Sequence, residues 1–322
     1  MKVFRGLPDA ASRAPCALAI GNFDGLHRGH QVLLSQLKVA ATARGIDAAV
    51  MTFEPHPREF FALQRGDISQ APARIANLRD KLQALACAGV DKVVVERFNT
   101  GFATLTPSQF VERILVQGLQ VKWLLVGEDF GYGAGRAGNI ATLMAEGRAH
   151  GFEVATLPTV CQGPDRISSS VIRTALHAGD FARVAQLLGR PYAISGRVIH
   201  GRKLGRTLGF PTMNLALPHR RPALSGIFVV QAHGLGPTPL PGVASLGIRP
   251  SVEDSGRVLL EIHLFDYSEQ CYGTLVEIEF MKKLRDEEKY ADLPTLTAAI
   301  AADTRQARAF FQHRAVAGAA PS

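Results

Sequence analysis

The chain has 322 residues, a length that predicts about two domains, and 47% of them are apolar, which excludes a wholly disordered chain. Lysine and arginine number 36 against 28 aspartates and glutamates, a formal charge of +8, and the 31 glycines and 18 prolines are typical of a loop-rich enzyme. No apolar stretch approaches the roughly 18 residues that a membrane-spanning helix needs, so we expect neither a membrane anchor nor a signal peptide.

The basic charge and the cysteines narrow the class of protein further. The positive charge is scattered, without a lysine-rich tail or a basic run flanked by aromatic residues. This pattern favours phosphorylated small molecules over nucleic acid as the anionic partner. The four cysteines lie far apart and form no CxxC pair, which argues against a disulfide framework or a zinc ribbon and favours a reducing cytoplasm.

The first part of the chain, through about residue 187, alternates short apolar runs with helix-period segments. This arrangement predicts βαβ units and a parallel sheet. The candidate strands are residues 17–20, 48–53, 92–96, 123–126 and 153–157. The candidate helices are residues 29–43, 72–87 and 107–117, each with a glycine close behind its last residue. Thr106, Pro107 and Gln109 give the last helix the start of a capping box.

After Gly189-Arg190-Pro191 the pattern changes to short alternating strands broken by glycine and proline. This pattern predicts a small β-barrel or sandwich and places the domain boundary there, giving domains 1–187 and 188–322. The candidate strands are residues 192–200, 227–233, 243–246, 258–265 and 276–280. An amphipathic helix is expected at about residues 293–313, and residues 315–322 are expected to fray.

The first candidate site is Gly21-Asn22-Phe23-Asp24-Gly25-Leu26-His27-Arg28-Gly29-His30, which joins the first strand to a helix. Ligands bind beyond the carboxyl ends of parallel strands, where a helix N-terminus offers free N–H groups to phosphate. His27 and His30 project to one side, and Gly29 lets a nucleotide approach the backbone. Two imidazoles there could stabilise the charge that builds when the α-phosphorus of a triphosphate is attacked.

Two other interpretations of these histidines stay open. They could be surface residues without a role, or they could bind a metal with His56 as a third ligand. For the metal site, no acidic or cysteine partner has suitable spacing.

A second cluster, Arg166-Ile167-Ser168-Ser169-Ser170-Val171-Ile172-Arg173, follows the last strand of the first domain and opens a helix. Serines at a helix start cap it and can also bind phosphate, and the two flanking arginines favour an anion. Ordinary capping is the alternative. The segment Gly133-Ala134-Gly135-Arg136-Ala137-Gly138 matches the dinucleotide-binding pattern of an oxidoreductase. It lies late in the fold and away from its strand end, so we expect a flexible flap instead.

The C-terminal domain opens with a basic loop, His200-Gly201-Arg202-Lys203-Leu204-Gly205-Arg206-Thr207-Leu208-Gly209, followed by Phe210-Pro211-Thr212-Met213-Asn214. Glycines interleaved with cations let such a loop approach the phosphates of a nucleotide while offsetting their charge. Thr212 and Asn214 point the same way if the chain is extended, and their neutral oxygens suit Mg²⁺. A β-turn with a solvated basic rim is the alternative.

The candidate strand Leu260-Glu261-Ile262-His263-Leu264 carries Glu261 and His263 on one face. A carboxylate there could take a proton from an alcohol that attacks a γ-phosphate. Taken alone, Glu261 is better explained as part of a polar strand face exposed to water. Its company with the basic loop favours the catalytic interpretation.

Together and in this order, these motifs resemble the bacterial bifunctional riboflavin kinase and FMN adenylyltransferase family, also called FAD synthetase, nearly end to end. Two further segments carry the resemblance, Thr52-Phe53-Glu54-Pro55-His56-Pro57 and Val126-Gly127-Glu128-Asp129-Phe130. The sequence departs from the family in three places. Gly131 and Tyr132 stand where Arg and Phe are common, Ser170 replaces Thr, and Ser245-Leu246-Gly247-Ile248-Arg249-Pro250 replaces Asn-Ile-Gly-Thr-Arg-Pro.

The resemblance implies an α/β, Rossmann-like nucleotidyltransferase domain that joins the AMP of ATP to FMN. It implies a following six-stranded antiparallel β-barrel of the riboflavin kinase type, with a C-terminal helix, that makes FMN from riboflavin and ATP. The small-molecule partners would be ATP, riboflavin, FMN and FAD, in the cytoplasm. No nucleic-acid or membrane partner is expected, and a transient homo-oligomer stays open.

The resemblance also implies roles for the site residues. His27, His30, Arg166 and Ser168–Ser170 would hold ATP phosphates, with Asp129 near the transferring nucleotide. Thr212 and Asn214 would hold Mg²⁺, and Glu261 would deprotonate the ribityl hydroxyl. The other residues expected to line the nucleotide and flavin sites are Gly21, Asn22, Phe23, Asp24, Gly29, Arg173, Gly201, Lys203, Gly205, Arg206, Gly209, Pro211 and Arg249.

Three other function classes compete with this interpretation. A nucleotidyltransferase acting on another phosphorylated acceptor is the closest, but it leaves the Pro-Thr-x-Asn domain without a task. An aminoacyl-tRNA synthetase would share the His-x-Gly-His turn, yet the chain has no Lys-Met-Ser-Lys-Ser-like loop. A nucleic-acid-binding barrel would show strongly salt-dependent binding and no consumption of ATP.

Overall fold

The computed structural model describes residues 1–162, 165–201, 208–218, 221–248 and 258–318. Four predicted site residues, Lys203, Gly205, Arg206 and Arg249, lie outside the described residues. The chain divides into two compact units. One unit comprises Met1–Pro72 with Lys81–Ser168, and the other comprises Ala73–Asp80 with Ser169–Ser322.

The first unit is built on a six-stranded sheet in which every neighbouring pair is parallel, in the order β1-β4-β3-β2-β5-β6. The strands are β1 (Lys2–Arg5), β2 (Cys16–Ile20), β3 (Asp47–Glu54), β4 (Lys92–Arg97), β5 (Val121–Gly127) and β6 (Glu153–Leu157). The predicted α/β class is therefore confirmed. Sequence reasoning missed β1, because this edge strand is short and mostly exposed and so lacks the apolar run of a buried strand.

The carboxyl ends of β2 and β5 lie side by side at the point where the order of strand addition reverses. From β2 the chain builds outward through β3 and β4 on one side, and then returns to build β5 and β6 on the other. Such a switch point opens a crevice beyond the strand ends, where open α/β sheets bind their ligands. The first candidate site follows β2, and Asp129 follows β5, so both lie at this edge.

Helices occupy all three segments before residue 160 that were predicted to be helical, but the one at residues 72–87 starts later and the one at residues 107–117 is π-helical from Phe110. Further helices occur there that were not predicted. In chain order, the helices are α1 (Arg28–Arg44), α2 (Pro57–Gln64), α3 (Leu78–Cys87), α4 (Thr100–Ala103), α5 (Pro107–Gln109), continued by a π-helical segment (Phe110–Gly118), and α6 (Ile140–His150). The helix predicted at residues 72–87 begins only at Leu78. Its first residues are extended because the Arg74 N–H donates to the Arg221 carbonyl (2.8 Å) and the Arg74 carbonyl accepts from Ala223 (3.1 Å).

The capping box predicted at the start of α5 is present in the structure. Thr106 Oγ1 accepts from the Gln109 N–H at 3.2 Å, and Gln109 Oε1 accepts from the Thr106 N–H at 3.0 Å, so the predicted capping box is confirmed. Short 3₁₀ turns occupy Ala10–Ser12, Ile68–Gln70 and Ala134–Arg136. A two-stranded ribbon pairs β7 (Cys161–Gln162) with β8 (Asp165–Arg166).

The second unit contains a closed six-stranded barrel in the order β10-β13-β12-β11-β14-β9, with every described pair antiparallel. The strands are β9 (Ala193–Ile199), β10 (Met213–Leu217), β11 (Gly226–His233), β12 (Leu240–Ile248), β13 (Val258–Leu264) and β14 (Leu275–Arg285). The predicted barrel is confirmed. Strand β10 was not among the candidate strands, because the polar Asn214 interrupts its apolar run.

The C-terminal helix, α9 (Leu293–Gly318), packs on the outside of this barrel. Its Ala307, Phe310 and Phe311 join a cluster with Val229, Val243 and Phe265 of the barrel unit. Arg285 at the end of β14 donates to both carboxylate oxygens of the buried Asp303, at 3.0 and 2.7 Å. Apolar packing and a two-point ion pair thus fix the helix against β11, β12 and β14.

Helices α7 (Ser169–Ala178) and α8 (Phe181–Leu188) also belong to the barrel unit. The Phe181 ring lies 6.0 Å from Phe280 and 6.0 Å from Phe228 in the barrel core, and 6.5 Å from Tyr192. The compact unit therefore includes α7 and α8, which begin before residue 187, while the domain boundary at residues 187 and 188 stays a prediction. The physical reason is that the apolar face of α8 is buried on the barrel, which a pattern read along the chain does not reveal.

Two further expectations concern membranes and disulfides. Over the ranges that the structure describes, we find no helix with both the length and the hydropathy of a bilayer span. The four cysteines are free thiols in the structure, with Cys16 buried and Cys87 and Cys161 exposed.

The packing of α8 predicts a large stability effect at Phe181. Replacing it by alanine should lower the free energy of unfolding of the barrel unit by about 3–5 kcal/mol, since a buried aromatic ring is removed and a cavity is left. Scanning calorimetry of the full chain would measure the shift. Leu293→Ala in the same unit removes a side chain that is 53% exposed and should cost less than about 1 kcal/mol. Equal shifts for the two variants would contradict the assignment of α8 to the barrel.

Candidate active sites

The histidine pair of the first site is formed where β2 gives way to α1. Phe23, Gly25 and Leu26 have positive φ angles of 48°, 84° and 43°, which turn the chain sharply before His27 caps the helix. The His27 and His30 rings are stacked, with centroids 3.6 Å apart and planes within 15°. The two rings therefore lie on one side of the helix start, as their spacing predicts. Their role remains a prediction.

The cap fixes the hydrogen-bonding state of His27. Its Nδ1 accepts from the His30 backbone N–H at 3.3 Å, so in the neutral ring the proton is on Nε2. His27 is therefore held as a donor of known direction. Gly29 leaves the ring room, because a Cβ at this position would lie 3.2 Å from the His27 imidazole.

His30 lies beside a buried cation. Its pKa is held well below the ordinary 6.5, first by burial and then by the neighbouring His27 and Lys81. Its side chain is half-buried, and its Nδ1 is buried with no hydrogen-bond partner in the part of the chain that the structure describes. A neutral imidazole with an unused buried nitrogen can bond a ligand at either ring atom.

Lys81 forms the floor of this site and was not singled out by the sequence. Only 1% of its surface is exposed, and its Nζ donates to Thr52 Oγ1 at 3.3 Å. Thr52 in turn donates to the Asn22 carbonyl at 3.2 Å, and this ties the cation to the segment that follows β2. Lys81 therefore adds a nitrogen donor beside His30 and Thr52.

Asp129 and Arg166 meet next to the same helix start. The two side chains form an ion pair at 3.2 Å. The Ile167 carbonyl, one residue beyond Arg166, lies 3.6 Å from where a Cβ of Gly29 would be. The structure therefore brings Asp129 and Arg166 to the helix start that carries the histidines.

The serine cluster is divided between the two units. Ser168 belongs to the first unit, whereas Ser169, Ser170 and Arg173 belong to the second. The predicted helix start is confirmed, since α7 begins at Ser169. Arg173 Nε donates to the Ala73 carbonyl at 2.6 Å, a contact within the second unit that the prediction of a phosphate ligand did not include.

The structure bears on two alternative interpretations of the first domain, a metal site with His56 and a dinucleotide-binding glycine segment. His56 caps α2, with its Nδ1 accepting from the Arg58 N–H at 3.1 Å, and no group of three metal-ligating side chains occurs within the described ranges. The glycine segment 133–138 does not run from a strand into a helix, because α6 begins only after its own cap at Asn139. Its base is closed by two backbone bonds between Tyr132 and Gly138, and its mobility stays a prediction.

In the barrel unit, strand register brings the second site together. Asn214 on β10 stands directly opposite Glu261 on β13, and Glu261 stands opposite Ser245 on β12. Such pairs have Cβ atoms about 4.5–5.5 Å apart on one face of the sheet. Along β13, Val258, Leu260, Ile262 and Leu264 are buried. Leu259, Glu261 and His263 are half-buried, so these three side chains point out of the barrel core.

Asn214, Glu261 and Ser245 form a row across the three strands. The Pro-Thr-x-Asn segment is held against this row. The Pro211 carbonyl lies 2.9 Å from His263 Nδ1, which fixes the segment that precedes Thr212. Asn214 is 4% exposed, and its Oδ1 is buried with no hydrogen-bond partner among the described residues. Gly201 lies so close that any Cβ would overlap the Asn214 amide. Gly209 has a φ of 84°, a conformation that favours glycine.

A second carboxylate adjoins the row and has no sequence signal. Glu287 Oε1 accepts from Ser245 Oγ at 3.3 Å, which places it beside the strand that pairs with Glu261. Gly247 leaves the space that this carboxylate fills, since a Cβ there would overlap it. The residue follows β14 in a charged stretch that reads as an ordinary solvated loop.

A cluster of phenylalanines near the carboxyl edge of the parallel sheet was also missed. Neighbouring rings lie 5.3–5.8 Å apart, and the members are Phe53, Phe60, Phe61, Phe98 and Phe102. Phe61 is 39% exposed. Partly exposed aromatic rings can stack on a flat heterocycle. The residues come from β3, α2, α4 and the end of β4, so no single motif contains them.

Comparison with known proteins agrees with this arrangement. The FAD synthetase family model matches residues 9–171, and the Riboflavin kinase family model matches residues 188–311. The bifunctional riboflavin kinase/FMN adenylyltransferase of Escherichia coli strain K12 is 46% identical over 97% of this chain and 98% of its own length. The chain belongs to this family.

Other relatives support the same membership. The Haemophilus influenzae protein of that name is 43% identical over 97% of this chain and 99% of its own. The Pseudomonas fluorescens protein is 43% identical over 96% and 97% of the two chains. A solved Streptococcus pneumoniae structure, described as a macrolide-efflux protein, shares the fold with a TM-score of 0.70 and 26% identity over 94% of this chain and 96% of its own.

The lowered pKa of His30 predicts a pH-dependent stability of the first unit. Below about pH 6.5 the unfolded chain binds a proton at this residue and the folded chain does not, so stability falls as the pH falls. His30→Gln should remove this contribution, at most about 1.4 kcal/mol per pH unit. Urea unfolding at pH 7.5, 6.5 and 5.5, followed by the fluorescence of Trp123 in β5, would measure it, since the chain has one tryptophan.

The matched control is His313→Gln, which removes an exposed histidine of α9 in the other unit. It should leave the pH dependence of the Trp123 transition unchanged. If His30→Gln and the parent protein lost stability with the same slope below pH 6.5, His30 would not be a neutral residue of the folded state.

Proposed function

We propose that the chain phosphorylates riboflavin to FMN in its barrel unit and adenylylates FMN to FAD, with release of pyrophosphate, in its parallel-sheet unit. The observation that carries the proposal is that each family model covers one of the two constellations. The match over residues 9–171 contains the stacked histidines, and the match over residues 188–311 contains the Asn214 and Glu261 pair.

In the adenylyl transfer, an FMN phosphate oxygen forms a bond to the α-phosphorus of ATP while the bond from that phosphorus to the bridging oxygen breaks. The Nε2–H of His27 would donate a hydrogen bond to a phosphate oxygen, in the direction that its cap fixes. His30, held neutral beside Lys81, would bond a second oxygen. One such preorganised donor is worth on the order of 10² to 10³ in rate.

In the kinase reaction, Thr212 and Asn214 would hold Mg²⁺. The buried Asn214 Oδ1, which accepts no hydrogen bond from the described residues, fits a cation ligand. When bound, Mg²⁺ would neutralise charge on the phosphates of ATP. His263 would keep the segment in place through the Pro211 carbonyl.

Glu261 would act as the general base of the same reaction. It would accept the proton of the ribityl hydroxyl as that oxygen forms a bond to the γ-phosphorus of ATP, while the bond from that phosphorus to the β–γ bridging oxygen breaks and ADP is released. Its register position opposite Asn214 supports this role, because the carboxylate would then lie beside the phosphates that the metal would hold. General-base assistance is typically worth on the order of 10² to 10⁴ in rate.

The proposal predicts that two substitutions separate the reactions. With riboflavin, ATP and Mg²⁺, the parent protein should form FMN and then FAD, as measured by chromatographic separation of the flavins. His30→Ala should let FMN accumulate and slow FAD formation by about 10² or more. Glu261→Gln should slow FMN formation by about 10² or more and leave FAD formation from supplied FMN unchanged.

Each variant is the control for the other, because its unaffected reaction shows that the chain is folded. If both substitutions abolished both reactions, the assignment to two sites would be wrong. If the parent protein consumed ATP only with another phosphorylated acceptor and left flavins unchanged, the rival nucleotidyltransferase function would replace the proposal.

The assignment of Mg²⁺ predicts a specific defect at Asn214. Asn214→Ala should raise the Mg²⁺ concentration for half-maximal FMN formation by at least about tenfold, because a direct ligand is lost. A titration with Mg²⁺ at saturating ATP and riboflavin would measure this. The control, Gln231→Ala, removes a half-buried amide from β11 and should leave the titration unchanged. An unchanged midpoint for Asn214→Ala would contradict the assignment.

A further inference from the structure

Arg136 has an unusual backbone in the loop between β5 and α6. It is exposed and has a φ of 57°, in the left-handed region that residues other than glycine rarely adopt. The loop around it is well bonded. Tyr132 and Gly138 exchange two backbone hydrogen bonds, and the Ala134 N–H donates to the Leu105 carbonyl at 2.7 Å. A strained residue in a closed loop indicates that its side chain has a required position.

The side chain of Arg136 turns back onto the end of β5. Its Nη2 donates to the Asp129 carbonyl at 2.8 Å. Its guanidinium also fills the space beside Gly131, because a Cβ on Gly131 would lie 3.0 Å from Arg136 Nε and 3.1 Å from Nη2. An arginine from further along the loop thus occupies the place that a long side chain at position 131 would take.

Arg136 holds the turn that follows β5, which is closed by a hydrogen bond from the Phe130 N–H to the Gly127 carbonyl. This turn is part of the first site. Asp129 carries the carboxylate that pairs with Arg166 at 3.2 Å. The carbonyl of Ile167, the residue after Arg166, lies 3.6 Å from where a Cβ on Gly29 at the start of α1 would be. Two guanidinium groups therefore bracket Asp129, one on its backbone carbonyl and one on its carboxylate. Both lie at the switch point of the sheet, where a phosphate chain would bind.

We propose that Arg136 is a positioning residue for adenylyl transfer, which fixes the Asp129 turn and does so from the space beside Gly131. The proposal rests on the proposed function of the first unit. Removing the guanidinium frees the Asp129 carbonyl and lets the carboxylate and Arg166 leave their places. Because the effect comes from where the guanidinium lies, an arginine introduced at position 131 can replace it.

The test is a double-mutant cycle on FAD formation from supplied FMN and ATP. Arg136→Ala should lower kcat/KM by about 10- to 100-fold, the range of one hydrogen bond from a charged group. Gly131→Arg should also lower it, since the new side chain overlaps Arg136 and repels it. The double variant, Gly131→Arg with Arg136→Ala, should return to within about threefold of the parent, because the space is free and the φ of Gly131 is not left-handed.

Two controls distinguish this proposal from the function on which it rests. Riboflavin kinase activity should be unchanged in all variants, and Arg148→Ala, which removes an exposed charge of α6, should leave FAD formation unchanged. If the parent protein formed no FAD, the proposed function would fail first. If the parent were active and Arg136→Ala matched it, or if the double variant were no better than Arg136→Ala, the positioning role would be overturned.

Discussion

Backbone pairing of strands decides which side chains meet in both units. In the barrel, the register of β10 against β13 places Asn214 opposite Glu261, and β12 adds Ser245 to the same row. Because side chains alternate along a strand, a slip of one residue would turn Glu261 into the core and a leucine or isoleucine outward. The buried residues on both sides of Glu261 therefore hold the site in place as much as they hold the barrel together.

The same constraint acts through topology in the parallel sheet. The reversal between β2 and β5 brings two loops to one crevice, although about a hundred residues separate them in the chain. The groups collected there differ in kind. Lys81 is a buried nitrogen donor, His27 has a fixed donor direction, and His30 is kept neutral by its surroundings. Such a site can offer hydrogen bonds to phosphate without depending on the protonation of its histidines near neutral pH.

Local patterns predicted most of the elements, and long-range contacts account for the differences. The capping box at Thr106 was correct because all of its atoms lie within one turn. The predicted start of α3 was wrong because the backbone of Arg74 pairs with that of Pro222. The two residues lie far apart in the sequence, so a local sequence pattern does not reveal the pairing. The common side of His27 and His30 followed from their spacing alone.

For the candidate sites, sequence reasoning reached the motifs but not the distances between them. The pairing of Asp129 with Arg166, and of Asn214 with Glu261, depends on sheet order and register rather than on spacing. Lys81 and Glu287 gave no signal, since a lysine in an amphipathic helix and a glutamate in a charged loop are usually solvated. The phenylalanine cluster draws on several elements, so only the folded chain assembles it.

The packing of α8 on the barrel shows that a domain defined by family membership and a unit defined by compact packing begin at different residues. The Riboflavin kinase family match begins at residue 188, where shared ancestry becomes recognisable, while the compact unit takes in the chain from Ser169. Phe181, which lies upstream of the inherited module, contributes its ring to that module's interior. A gene fragment cut at the ancestral border would leave an apolar surface bare, so cooperative folding, rather than homology, should decide where the polypeptide is divided.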